Sequence, residues 1–150
     1  MIFALTTKCT VGLIEGVLEM NNVEKLLKSY DGYCFESSMY ETPEFRNFCT
    51  RLKKAMRKDV RENYPNLELS AWSKGHFEVS GFITRKSDGA IFYFRIGDVR
   101  DDKVATGFHL YRSAGHLKDY MGGINRYCLG GELLKRMATE YDDFAEERLK

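Results

Sequence analysis

The chain has 150 residues, about the length of one domain, and 43% of its residues are hydrophobic and 30% charged. The formal net charge is +1 and only two prolines occur, so the composition excludes a membrane span, a coiled coil, a repeat array and a disordered tail. Four cysteines without a paired spacing favour reduced thiols in a cytoplasmic protein over a disulfide framework.

The segment before Met20 differs from the rest of the chain. Its apolar beginning is too short for a signal peptide and lacks a basic leading region. Met20 is followed at once by Asn21, a good helix cap, which is typical of a natural start. We therefore expect residues 1–150 to form one domain in which residues 1–19 are a dispensable extension, with Met20 rather than Met1 as the native start.

Two helices are predicted before the first strand. The first covers residues 22 to 30. The second runs from Pro43 to Asn63, because Thr42 can cap it, proline suits its first position, and apolar residues then recur every three or four positions over four turns.

After the second helix the apolar residues alternate with polar ones, which predicts strands. The four predicted strands start near Leu67, Phe77, Ile91 and Gly107. Residues 113–131 contain five glycines and are expected to form a long loop, and a final helix is predicted over residues 132–149. This order predicts an α+β fold: a four-stranded antiparallel meander with the N-terminal helices and the C-terminal helix packed on one face.

Positive charge is concentrated on the second helix, which carries seven basic residues against three acidic ones between residues 43 and 64. Five of them, which we call the basic ridge, fall opposite the apolar stripe: Arg46, Lys53, Lys54, Arg57 and Arg61. Such a row of cations predicts contact with phosphates or with an acidic protein surface. The alternative is an ordinary solvated helix face, since a core-facing helix needs a polar back.

Aromatic residues on the sheet form a second candidate surface. If Phe92 and Phe94 face the helices, Tyr93 and Arg95 point away from them, and the alternation of the first strand places Trp72 on that same far side. A surface of this kind can stack unpaired bases or anchor a protein partner. The alternative is that these aromatic side chains are buried.

The glycine-rich loop holds the third candidate. His116 and Asp119 are typical of a base with its orienting carboxylate, and Arg112 can hold an anion. The chain contains no phosphate-binding, nucleophile-elbow or dinucleotide-binding motif, and its three histidines lack zinc-site spacing, so no metal or cofactor is expected. A small enzyme acting on an anionic substrate and a structural or partner-binding loop both remain open.

Four segments together resemble an uncharacterised family of small proteins carried by phages, plasmids and other mobile elements: GHFEVS at 75–80, IGDVR at 96–100, LYRSA at 110–114 and DYMGGIN at 119–125. The resemblance implies a mobile-element accessory protein but no particular reaction. In general character, a small protein with a basic ridge and no catalytic motif is similar to anti-CRISPR inhibitors, which bind a nucleoprotein effector and block its nucleic-acid channel or its activation.

The sequence therefore predicts a protein that acts by stoichiometric binding, as an anti-CRISPR-type inhibitor of a host nucleic-acid-targeting nucleoprotein. The predicted contacts are the basic ridge together with Trp72, Tyr93 and Arg95. One alternative is a module that binds single-stranded nucleic acid through the basic helix and the aromatic sheet face, and the other is the small enzyme. No membrane partner is expected, and the oligomeric state is left open.

Overall fold

The computed structural model describes residues 20–32, 42–99 and 106–150. The expected extension over residues 1–19, and with it the choice of native start, lies outside these ranges. Helix α1 spans Asn22–Ser29 and helix α2 spans Pro43–Asn63, as the capping signals predict. The Asn21 side chain accepts a hydrogen bond from the backbone N–H of Glu24 at 2.8 Å, and so begins α1.

Five antiparallel strands form one sheet in chain order within the described residues, which confirms the α+β class and the meander. They are β1 (Leu67–Lys74), β2 (Val79–Arg85), β3 (Ile91–Ile96), β4 (Phe108–Ala114) and β5 (Arg126–Leu129). The prediction of four strands is wrong because β5 lies inside the stretch expected to be a loop. Only four residues long and flanked by glycine pairs, β5 carries almost no local signal and is defined by its pairing with β4.

The C-terminal helix is shorter than predicted and is interrupted. A 3₁₀ turn (Gly130–Glu132) leads into α3 (Leu133–Thr139), and after a break α4 covers only Ala145–Arg148. The acidic residues of the break accept hydrogen bonds from side chains of β4, β5 and α4 instead of continuing a helix. The pairs are Tyr111 with Glu140, Arg148 with Asp142 and Arg126 with Asp143. Tertiary contacts thus override the local helix propensity.

The main core lies between the sheet and helices α1, α2 and α3, on the side that we call the helix face. As predicted, Phe92, Phe94 and Ile96 of β3 point to this face and are fully buried. They meet the apolar stripe of α2, whose buried members include Phe45, Phe48, Leu52 and Met56. This packing fixes α2 on the sheet with its charged side turned to solvent.

A β-bulge in β1 changes which of its side chains face the helices. Leu69 pairs with Ile83, but Ala71 pairs with Phe82, so one extra residue is accommodated between them and the alternation shifts. Leu69 faces the helices before the bulge, and Trp72 faces them after it. The prediction that Trp72 lies on the opposite face is therefore wrong.

The opposite side of the sheet, which we call the outer face, carries a second and smaller cluster. Its buried members are Phe82, Tyr93, Leu110 and Ala114. Tyr120 from the following loop covers the cluster, with its ring centroid 5.7 Å from that of Tyr93. Only 8% of Tyr93 is exposed, so the prediction of Tyr93 as an exposed contact residue is wrong.

None of the helices in the described ranges combines the length and apolar composition that a membrane crossing requires.

Candidate functional site

The basic ridge lies on the solvent side of α2. Arg46, Lys54, Arg57 and Arg61 are exposed and Lys53 is half-buried. Because an α-helix rises 1.5 Å per residue, the ridge extends over about 22 Å between residues 46 and 61. The structure therefore brings all five predicted cations together on one rigid helix surface.

Four of the ridge cations lack a carboxylate partner. Within residues 20–32, 42–99 and 106–150, the ion pairs within 4.0 Å include none with Lys53, Lys54, Arg57 or Arg61. Several arginines elsewhere are paired with a carboxylate, as Arg126 is with Asp143 at 3.1 Å. The positive field of the ridge is thus left available to an external anion.

Trp72 lies beside the ridge rather than on the outer face. It lines a groove of about 400 Å³ between α2 and β1, which we call the Trp72 groove. The lining residues are Arg46, Cys49, Thr50 and Lys53 from α2 and Trp72 and Lys74 from β1. Lys74 was not among the predicted contact residues, although its position two residues after Trp72 places both side chains on the same face of β1.

Gly81 allows the Trp72 ring to pack close to the Phe94 ring. It is the cross-strand neighbour of both Trp72 and Phe94, so the two rings approach each other over a residue without a side chain, with centroids 6.1 Å apart. A Cβ atom at position 81 would lie 2.4 Å from the carbonyl oxygen of Ala71 and 2.8 Å from the Phe94 ring. Glycine is therefore required here for close packing beneath the groove.

The cysteine of the groove does not provide a reactive thiolate at neutral pH. Burial raises the pKa of Cys49 to about 11, and the nearby charge of Lys74 offsets only part of that effect. Since the thiolate is the nucleophile and the metal ligand, Cys49 contributes a neutral apolar side chain to the groove.

Arg95 lies on the outer face, as predicted, and is exposed. Its guanidinium group is 3.5 Å from the carboxylate of Glu78, so its charge is partly neutralised. With Trp72 on the helix face and Tyr93 buried, Arg95 is the only one of these three predicted residues on the exposed outer surface. The predicted aromatic platform on this face is therefore not formed by these residues.

Asp119 organises the glycine-rich loop through backbone hydrogen bonds. Its two carboxylate oxygens accept from the N–H groups of Gly115 at 2.7 Å, Gly122 at 2.9 Å and Met121 at 3.1 Å. These bonds, above all the one from Gly115, lower the pKa of Asp119.

His116 and Arg112 are also engaged in the loop rather than in a shared cleft. The exposed His116 ring has its Nδ1 2.7 Å from the carbonyl oxygen of Leu117. Arg112 lies over the Tyr93 ring, 4.8 Å from its centroid, and donates to Asn125 at 2.9 Å and to the Tyr120 carbonyl. The geometry therefore assigns Arg112 and Asp119 to loop structure and gives no base–carboxylate pair aimed at a substrate.

The lowered pKa of Asp119 predicts a pH-dependent contribution to stability. The ionised carboxylate stabilises the folded state above its ordinary pKa of 3.8, and this contribution is lost as the pH falls through the lower folded value. The difference in free energy of unfolding between the wild type and Asp119→Asn should therefore be large at about pH 7 and shrink towards about pH 3. Urea unfolding across this range measures it, and an equal difference at both ends would contradict the assignment.

Asp59 is a structural residue of α2 that the sequence analysis missed. It is fully buried, and its carboxylate accepts hydrogen bonds from the Asn22 backbone N–H, the Asn22 side-chain amide and the Val23 backbone N–H, at 2.9, 2.7 and 2.9 Å. The sequence feature that could have identified Asp59 is its position on the apolar stripe of α2, three residues after Met56. A buried acid on such a stripe needs a partner, and the partner is the first turn of α1.

No group of three or more His, Cys, Asp or Glu side chains in the described part of the chain is arranged to hold a metal ion. Comparison of the chain with protein-family models, with curated proteins and with solved structures finds no match in any of the three.

Proposed function

We propose that this protein acts by stoichiometric binding, with the basic ridge docking on the anionic surface of a host nucleoprotein that targets nucleic acid. In this proposal it is a mobile-element inhibitor of the anti-CRISPR type, and it blocks the surface that it covers. The observation that carries the proposal is the row of four cations, Lys53, Lys54, Arg57 and Arg61, which have no carboxylate partner among the described residues and lie on a helix anchored in the core.

Rigidity supports binding at this surface. The apolar stripe of α2 is fixed in the main core, so the cations project from a helix that does not have to be ordered on association. Less conformational entropy is then lost when the partner binds. The net charge of +1 means that the positive field is local, which favours one orientation of approach over general coating of polyanions.

Reversal of three exposed ridge charges tests the proposal. The variant Lys54→Glu, Arg57→Glu, Arg61→Glu should lose about 100-fold or more in affinity, because three contacts of about 1 kcal/mol each become repulsive. The matched control is Lys118→Glu, Lys135→Glu, Lys150→Glu, which makes the same change in net charge at other exposed positions. It should bind within about threefold of the wild type.

The measurement is recovery of a nucleoprotein from host lysate by each tagged variant, followed by the affinity of the recovered complex in biolayer interferometry. Circular dichroism melting shows whether each variant is folded. Unchanged binding by the folded ridge variant, or an equal loss in the control, would exclude the ridge as the docking surface.

A further inference from the structure

We infer that the Trp72 groove receives an unpaired nucleobase, with the flanking phosphates on the ridge cations, so that the polyanion bound at this surface is single-stranded nucleic acid. This inference rests on the proposed function, because it names the ligand of the same basic surface. Three features of the groove support it: its shape, its charge and its single aromatic ring.

The groove has the size and the wall that a base requires. Its volume of about 400 Å³ is within the usual range for small-ligand sites. Trp72 is half-buried and its ring packs near that of Phe94. Because Gly81, which lies between these two residues in the sheet, has no side chain, the indole can lie close to the sheet at the groove wall. An indole held in this way offers a preformed surface for stacking, and every base has a π-face to place on it.

Within the described residues, the charged side chains that line the groove are all cations. Arg46 and Lys53 line the groove from α2, and Lys74 lines it from β1, where its Nζ is 5.7 Å from the centre of the Phe45 ring. No Asp or Glu is among the lining residues in the described part of the chain, and Cys49 is held neutral by burial. A base on Trp72 would therefore have Lys53 beside it for its own phosphates.

The remainder of the ridge continues this line of cations. From Lys53 the row leads through Arg57 to Arg61, each four residues, or about 6 Å, further along α2. A strand that enters the groove can thus follow the helix with its phosphates. Charged residues in such a row release counterions on binding, which makes the affinity depend steeply on salt.

The aromatic ring of Trp72 indicates which of the possible anionic ligands fits the groove: a duplex, an acidic protein surface or a single strand. The bases of a duplex are stacked on one another and cannot enter the groove, whereas the bases of a single strand are free to leave the stack. An acidic protein surface needs only the cations for its carboxylates, whereas a nucleotide uses a cation for its phosphate and an aromatic ring for its base. The combination of one ring and flanking cations therefore favours a single strand.

Trp72 is the only tryptophan in the chain, so its fluorescence reports directly on stacking. The probes are a fluorescein-labelled oligothymidylate of about twelve nucleotides, the same strand with abasic sites at its central positions, and a duplex of equal length. We expect the oligothymidylate to quench Trp72 fluorescence and to bind about 10-fold more tightly than the abasic strand or the duplex.

Two variants separate the base from the phosphates. Trp72→Leu keeps an apolar side chain over Phe94 but cannot stack, so it should lose the preference for bases and keep the salt dependence of binding. Lys53→Gln should keep that preference and lower the salt slope by about one phosphate contact. Trp72→Phe retains a ring, so it should keep part of the preference even if Trp72→Leu is less stable.

Equal affinity for the normal and abasic strands with unchanged fluorescence would overturn the inference, and so would the absence of binding to any oligonucleotide. In both cases a nuclease-resistant protein partner that is lost in the ridge variant would leave the proposed function standing. Conversely, base-dependent quenching with unchanged affinity and salt slope in the Lys54→Glu, Arg57→Glu, Arg61→Glu variant would overturn the placement of the flanking phosphates on the ridge.

Discussion

Replacing Asp59 by alanine should lower the free energy of unfolding by on the order of 3 kcal/mol. The substitution leaves the backbone N–H groups of Asn22 and Val23 without their acceptor at the start of α1. It also removes a negative charge from the positive end of a helix dipole. For a chain of this size the melting temperature should fall by about 10 °C, as measured by circular dichroism.

The control for Asp59→Ala is Glu62→Ala, which removes an exposed carboxylate from the same helix. Its effect should remain within about 0.5 kcal/mol, since surface substitutions away from specific contacts are nearly neutral. Hydrogen exchange should locate the damage in the first turn of α1, where the Asn21 side chain keeps its 2.7 Å bond to the Gly131 carbonyl but the N–H groups of Asn22 and Val23 lose their acceptor. A loss below about 1 kcal/mol for Asp59→Ala would contradict the role assigned to the buried carboxylate.

Local signals predict the elements that depend on local chemistry. The bounds of α2 follow from Thr42, Pro43 and a 3.6-residue repeat, and the β2–β3 hairpin follows from alternation around Asp88 and Gly89. The facing of β3 was predictable for the same reason, since nothing interrupts its alternation. The ridge cations needed only the helix period to be placed together.

The remaining features depend on contacts between distant segments. A single β-bulge after Leu69 places Trp72 on the helix face, and no residue in the sequence of β1 predicts this bulge. Strand β5 exists because β4 offers an edge to pair with, and the C-terminal helix breaks because Glu140 and Asp143 have partners far away in the chain, Tyr111 and Arg126. The positive charge of the site could therefore be predicted from the helix period. Its aromatic wall could not, because the position of Trp72 depends on the strand register.

Replacing Arg148 by methionine should destabilise the protein by on the order of 3 kcal/mol, because it leaves a buried carboxylate without its cation. Arg148 Nε lies 2.7 Å from Asp142, which is 4% exposed. The same guanidinium donates to the carbonyls of Ala114 and Gly115 and so fastens α4 to the end of β4. Chemical denaturation measures the loss, and amide exchange near Gly115 should rise with it.

The control for Arg148→Met is Arg136→Met, whose partner Glu132 is 3.6 Å away and about half exposed. An exposed pair of this kind contributes little, so its loss should change the free energy of unfolding much less than Arg148→Met does. The double variant Arg148→Met, Asp142→Leu should be more stable than the sum of the two single effects predicts, since it leaves no lone buried charge. If the effects of the two single variants are strictly additive, the pairing of Arg148 with Asp142 is contradicted.

Because Arg148 contacts the end of β4 rather than α2, the folded fraction of Arg148→Met should bind the partner of the basic ridge with unchanged affinity.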